Sequence, residues 1–566
     1  MHDQSDLAQR KRDLLLRIAC TVTAPRQDDD IFAGRAIASL IAGEATDESN
    51  TQVQRTARWF DMPHPHGRDL QGEPDFAAIN LIFAMYSLAD SDKLYVDSRA
   101  AVERFFLTTN FQSAYHSENH HLLFRASRYL AAQMWPASRF EAWDTTGDSL
   151  MQIDGAWLKQ FIRYRAGHGW AEFDSACYLL PDFESLLTLH EFASDPELHR
   201  LAQNALNLLL VDMAIDSIDG IPGGAQGRIY PEQVTNPESS PGYAIQQLYF
   251  GAQSEDFPKP VAFSVQLAAT SFTPDPLVIK IANERAQPYV NFERKHLHNM
   301  DDVLPENPLN GSIRKMTAWT PSYTLGAIQQ QDPYPEGISS FASGYAFHQQ
   351  HDWSLTFASS PRAKIFSHHP GTTDQHTLWT GDHGCGCGKF FMAGSTVLAL
   401  YQIPPSEPLQ YIHALVPKNE FDEVIEIVGW IIVRSGGGYG ALHLVNGYTW
   451  VADNAESSRE IRTPVTDGRE AVVCVAAQAC DYATFAAFQS ELLGSAVQFD
   501  RDKMSLSYRS SRLGDMRIAF GGSRSVNGVP VTFDYSAYHS PYVTAPWGAL
   551  RVELRFGDDQ RVLDFT

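Results

Sequence analysis

The chain is short of cysteine, of long apolar runs and of positive charge, and each shortage removes a class of protein. Six cysteines in 566 residues, at positions 20, 177, 385, 387, 474 and 480, are too few for a disulfide framework, so a reducing compartment is expected. No stretch approaches the roughly 18 apolar residues of a membrane span. The N-terminus, MHDQSDLAQRKRDLLLRIACTVTAP, lacks the basic start, apolar block and small-residue cleavage site of a secretory signal, and a cytoplasmic location is expected. Lys+Arg number 44 against 67 Asp+Glu, a formal charge of −23, which disfavours nucleic acid and anionic membrane as partners. A polyanionic substrate would need only a local basic pocket. No organic cofactor is expected, and assembly into a homo-oligomer is left open.

What is present is ordinary globular composition, 44% hydrophobic and 20% charged, in a chain longer than one hydrophobic core usually supports. Two large domains are predicted. Up to about residue 290 apolar residues recur at helical spacing, in INLIFAMYSL, HHLLFRASRYLAAQMW and DPELHRLAQNALNLLLVDMAID. Asp195-Pro196 separates two amphipathic stretches as in a helical hairpin, with Pro at the start of the second helix. No fixed repeat length marks a linear solenoid, so stacked pairs in an α/α toroid are preferred. After about residue 310 the pattern turns to short β-rich runs, STVLALYQI, EVIEIVGWIIVRS, EAVVCVAA and LRVELRF among them. Strands without intervening helices predict antiparallel sheets, most simply a sandwich. The fold class is therefore α+β multidomain, with a toroid over 1–305 and a β-sandwich over 306–566.

Four constellations could carry chemistry. Ser117-Glu118-Asn119-His120-His121 stands before an amphipathic helix whose apolar positions begin at Leu122. The Asn119 amide can polarise a carboxylate and the His120 imidazole can move a proton, while His121 is a candidate substrate contact. Glu172-Phe173-Asp174-Ser175-Ala176-Cys177-Tyr178 places two acids, a hydroxyl and a phenol before another helix. Rim loops of a toroid converge, so these groups can face one cleft. The glycine-rich turn from Gly223 to Tyr230 presents Arg228, able to clamp a carboxylate, and the Tyr230 phenol. In the β half His348, His351, His368, His369, His376 and His383 precede the close pair Cys385 and Cys387. That pair is too close for an ordinary disulfide, and zinc held by some of His351, His369, His376, His383, Cys385 and Cys387 is a candidate, competing with substrate-contacting histidines. Capping, core packing and solvated histidines are the non-functional readings of all four.

Architecture and motifs together resemble the heparinase II/III-like and alginate-lyase-like polysaccharide lyases, which join a helical toroid to an antiparallel β-sandwich. Asn119-His120 resembles their Asn-His pair, Tyr178 lies at a similar separation from it, and the β-domain histidines are similar to their catalytic and zinc-binding ones. EFDSACY lacks the Asp-Gly-Ser sequence usual before their Tyr, and the CGC element is not part of their pattern. The resemblance implies β-elimination from a uronate-containing glycan: the C5 proton is removed and the C4 glycosidic oxygen leaves. Asn119 would neutralise the carboxylate and His120 would neutralise it or accept a proton. Tyr178 would act as base or acid once its neighbours lower its pKa, and His351 or His369 would reach in from the sandwich. Arg228 and Tyr230 stand second for carboxylate binding and proton transfer. A glycoside hydrolase using Glu172 and Asp174 is the alternative, followed by a non-catalytic carbohydrate-binding protein.

Overall fold

The computed structural model describes residues 4–20, 31–59, 73–113, 117–251, 265–297, 312–331, 350–370, 379, 387–451, 459–464 and 467–566. Helices fill the first half. Gly34–Ala42, Pro74–Ser87, Glu118–Met134, Leu179–Phe192 and Val265–Ala269 contact one another in succession, and the last returns to the first, which closes an inner ring. Pro74–Ser87 and Leu179–Phe192 are buried on nearly every side, as helices surrounded by others must be, and their sequences carry apolar residues on every face. Outer helices such as Thr46–Trp59, Gly147–His168 and Pro196–Asp216 cover the ring. The expected helical hairpin is present: Pro196 opens its helix, and the Asp195 carboxylate accepts from the Glu197 and Leu198 amides at 2.9 and 3.3 Å.

The second half is antiparallel β. Among the described residues, twelve strands form one sheet, ordered from Thr449–Trp450 at one edge to Asp559–Asp564 at the other. A six-stranded sheet packs on it, with Leu325, Leu355 and Ile365 meeting Val397, Ala399 and Val433 between them. The alternate residues Leu398, Leu400 and Ile432 face a five-stranded sheet and the helix Phe485–Leu493. The six-stranded sheet is thus covered on both faces, which is why STVLALYQI is a continuous apolar run rather than an alternating one. A third layer is therefore added to the expected two-sheet sandwich.

Helical and sheet halves are joined along the other face of the twelve-stranded sheet. The expected boundary at 305/306 falls in 298–311, outside the described residues. The strand Tyr289–His296 precedes it and pairs with Ser312–Trp319 along its length. Its sequence, YVNFERKH, is polar because buried Glu293 and Lys295 meet the helical half there. Lys295 donates to both Asp212 oxygens at 2.7 and 2.6 Å, and Lys315 pairs with Asp174, Asp216 and Glu293. At the chain's end Tyr538, Val552, Leu554 and Phe565 belong to the core of the helical half.

Candidate functional site

Three segments converge at the inner end of the toroid: the start of Glu118–Met134, the turn before Leu179–Phe192, and the glycine turn ending at Tyr230. Asn119 and His120 lie in the first turn of their helix rather than ahead of it, with backbone continuity beginning at Glu118. Both are buried. Asn119 donates from Nδ2 to Glu172 Oε2 at 2.6 Å and to Ser117 Oγ at 3.0 Å, while its Oδ1 has no hydrogen-bond partner among the described residues. Arg228 donates from Nη1 to the other Glu172 oxygen at 2.8 Å. Its guanidinium also lies 3.6 Å from the Tyr178 ring centroid, a cation–π contact made stronger by exclusion of water. The Tyr178 and Tyr230 hydroxyls are 2.5 Å apart.

The backbone holds this arrangement in place. Ser175 Oγ donates to the Arg228 carbonyl at 2.7 Å and accepts from the Tyr178 amide at 3.0 Å, so the two turns are tied together at the residues that bear the site. Gly227 donates to the Phe173 carbonyl at 2.7 Å, and a Cβ there would stand 2.9 Å from the Phe173 ring. Arg228 itself has φ of 21°, a costly conformation for a residue with a side chain, of the kind that persists where surrounding contacts fix it.

Burial governs the protonation states. It pushes the Tyr178 phenol well above its ordinary 10, and the opposing pull of Arg228 does not cancel it. The expectation that neighbours lower this pKa is thereby corrected: desolvation of the phenolate outweighs the guanidinium. Burial alone would also lower the Arg228 pKa, but Glu172 reverses that and keeps the cation charged. Behind Glu172 lie Glu118, paired with Arg165, and Asp182, whose carboxyl is held well above its ordinary range by burial and by the two glutamates.

The glycine turn carries the site to the sheet. Gln226 and His351 exchange backbone hydrogen bonds at 2.9 Å in both directions, and Ile229 packs with Phe366 and Trp379. His351 stands edge-on to Phe366, centroids 4.4 Å apart. Burial and nearby Lys364 lower its pKa to about 3, and burial lowers that of Lys364 to about 7. Lys364 Nζ donates to the Pro222 carbonyl at 3.0 Å, a second link to the turn.

The remaining sequence candidates contact groups outside the Glu172–Arg228–Tyr178 network, His120 from the helix turn that also bears Asn119. His120 directs Nδ1 to Asp75 at 2.7 Å and stands edge-on to Phe76. His121 stacks on Trp157. Glu172 and Asp174 enter different ion-pair networks, with Arg228 and with Lys315 respectively, so they are not presented as a facing pair. His369 directs Nε2 to the Leu409 carbonyl at 2.7 Å, and Cys387 packs in the core between two sheets. Of the candidate zinc ligands, His376, His383 and Cys385 lie outside the described residues. Among the described residues, neither His351, His369 nor Cys387 belongs to a group of three converging donors, and these three do not fit a zinc site by themselves. Two carboxylate triads do converge, Glu118–Glu172–Asp182 and Asp174–Asp216–Glu293. Both are in contact with arginine or lysine.

Sequence reading missed Arg165, Asp182, Lys364 and the Lys295–Lys315 network. The available signal was charge at inward positions: Asp182 and Glu184 interrupt LLPDFESLLTL, an otherwise apolar inner helix.

No family model matches the chain, and no curated protein matches it. Among solved structures it is similar to the chondroitin AC lyase of Streptomyces coelicolor A3, determined in complex with chondroitin sulphate. Identity is 11%, the match covers 98% of this chain and 88% of that one, and the TM-score is 0.42.

Proposed function

We propose that the protein is a polysaccharide lyase that cleaves uronic-acid-containing glycans by β-elimination. The observation that supports this reading is the paired phenols of Tyr178 and Tyr230 under a guanidinium fixed by Glu172. In the reaction the C5–H bond breaks, its electrons form the C4–C5 double bond, and the C4–O bond breaks with protonation of the leaving oxygen. Charge develops on the uronate carboxyl in the transition state, and a preorganised cation with buried amide groups lowers that cost. Arg228 and Asn119 fill this role, Asn119 by releasing Glu172.

Tyr178 remains protonated in the free protein, which suits it to donate to the leaving oxygen, with Tyr230 as its hydrogen-bonded neighbour. His120 suits proton removal. Its Nδ1 is engaged with Asp75 at 2.7 Å, and the Glu73 carboxylate stands 4.0 Å from Nε2. His351, whose pKa burial lowers, stands on the sheet side, where its backbone bridges to Gln226 of the glycine turn. The hydrolase alternative requires two carboxylates across one bond, and Glu172 and Asp174 are committed to separate networks.

Tyr178→Phe removes one oxygen and keeps the ring beneath Arg228. Turnover on a uronate polysaccharide is expected to fall by about 10²–10⁴-fold, the usual contribution of a positioned proton donor, with the thermal midpoint nearly unchanged. Turnover close to that of the unaltered protein would overturn the assignment of Tyr178.

A further inference from the structure

A cavity of about 230 Å³ opens where the three β layers meet. It lies on the opposite side of the sheet from the glycine turn. Tyr323 begins the strand Tyr323–Gln331 and points into the cavity, whereas its neighbour Thr324 points to the helical half and touches Gly223. Successive strand residues face opposite sides, so the two sites share a strand without sharing a space. A single water needs about 10–15 Å³ on this measure, so the cavity has room for a ligand of many atoms.

Its walls combine aromatic rings with groups that both donate and accept. Tyr323 shares a hydrogen bond with Ser395 at 2.7 Å, and Tyr482 donates to Glu491 at 2.9 Å. Arg512 lies 4.9 Å from the Tyr482 ring centroid and 3.5 Å from Asp481. Tyr508 and the buried rings and methyls of Phe488 and Leu492 form the apolar part. Burial raises Tyr323 and Tyr508 to about 12, which keeps both as hydroxyl donors. The charged groups sit at the mouth: the Arg512 and Asp481 side chains are 48% and 35% exposed.

We propose that this cavity is a non-catalytic binding site for one uncharged sugar unit. A pyranose offers apolar C–H faces to aromatic rings and a rim of hydroxyls to carboxylates and a guanidinium, which is the chemistry of this lining. Arg512 is balanced by Asp481, and Glu491 leaves the site net negative. A phosphate or uronate would therefore meet repulsion here, in contrast to the Arg228 site. The function is to anchor a neutral stretch of glycan while another part of the chain is held elsewhere.

Saturation-transfer NMR on the full chain tests this with D-glucose, D-galactose, N-acetylglucosamine and D-glucuronate as separate probes. At least one neutral sugar is expected to bind in the millimolar range and more tightly than glucuronate. Arg512→Ala and Tyr482→Phe, both with the thermal midpoint checked, should each weaken that binding several-fold, whereas Tyr178→Phe should leave it unchanged. Absence of neutral-sugar binding, binding indifferent to both cavity variants, or preference for glucuronate at this cavity would each overturn the proposal. None of these results depends on whether the protein turns over a polysaccharide.

Discussion

Asp182 is the least supported carboxyl in the helical half: both oxygens are buried, and neither has a hydrogen-bond partner among the described residues. It is held protonated by burial and by Glu118 and Glu172. Its folded pKa is raised above the ordinary 3.8, so its stabilising contribution is complete below about pH 3.8 and is lost as pH rises through the folded value. Asp182→Asn keeps the shape, cannot ionise, and offers amide protons to the two glutamates. We expect it to be more stable than the unaltered protein at pH 8, by about 1–3 kcal/mol, the usual cost of a poorly satisfied buried group, with the difference shrinking toward pH 4. Thermal unfolding at both pH values measures this, and a variant less stable at pH 8 would contradict the account. At this scale the sequence named Asn119, Tyr178, Arg228 and Tyr230, four residues that share one network, because each stood at a helix start or glycine turn. It offered Glu172 and Asp174 as the two carboxylates of the alternative hydrolase. What separates them is which cation each reaches, and Arg228 and Lys315 are 56 and 141 residues away in the chain.

Among the elements, the glycine turn has the largest effect on the site, because it fixes Arg228 and Tyr230 and docks on the sheet. Its approach depends on missing side chains. A Cβ on Gly326 would stand 2.7 Å from the Gly224 Cα, and one on Gly223 would stand 2.1 Å from Thr324. Gly326→Ala should push the turn from the sheet and weaken the Gln226–His351 bridge. We expect a stability loss of about 1–3 kcal/mol, typical of overpacking, together with lower turnover. Denaturant titration and activity on the same preparation check both, and an unchanged protein would show that the docking is not tight. Legibility differed between elements for a physical reason. The Asp195-Pro196 hairpin and the run STVLALYQI announce themselves through capping and burial on two faces. The strand YVNFERKH does not, because its inward side chains are charges whose partners are distant in sequence, Asp212 of the helical half for Lys295 and Lys315 of the neighbouring strand for Glu293.

The whole molecule is a closed helical ring whose inner-end loops meet the face of a twelve-stranded sheet, with two further sheets stacked behind. The C-terminal strands return to the helical core, so the halves are joined at both ends of the β region. Among the described residues no helix is long and apolar enough to cross a membrane. The toroid-then-β order was legible because periodicity changes once along the chain. The third layer and the returning strands were not, since their partners are set by packing between distant segments. The measurement that tests the central claim most directly is the ultraviolet absorbance of products formed from a panel of uronate-containing polysaccharides. Elimination predicts a product that absorbs through its new C4–C5 double bond, formed in step with each new reducing end. New reducing ends without that absorbance would mean hydrolysis, and would contradict the account.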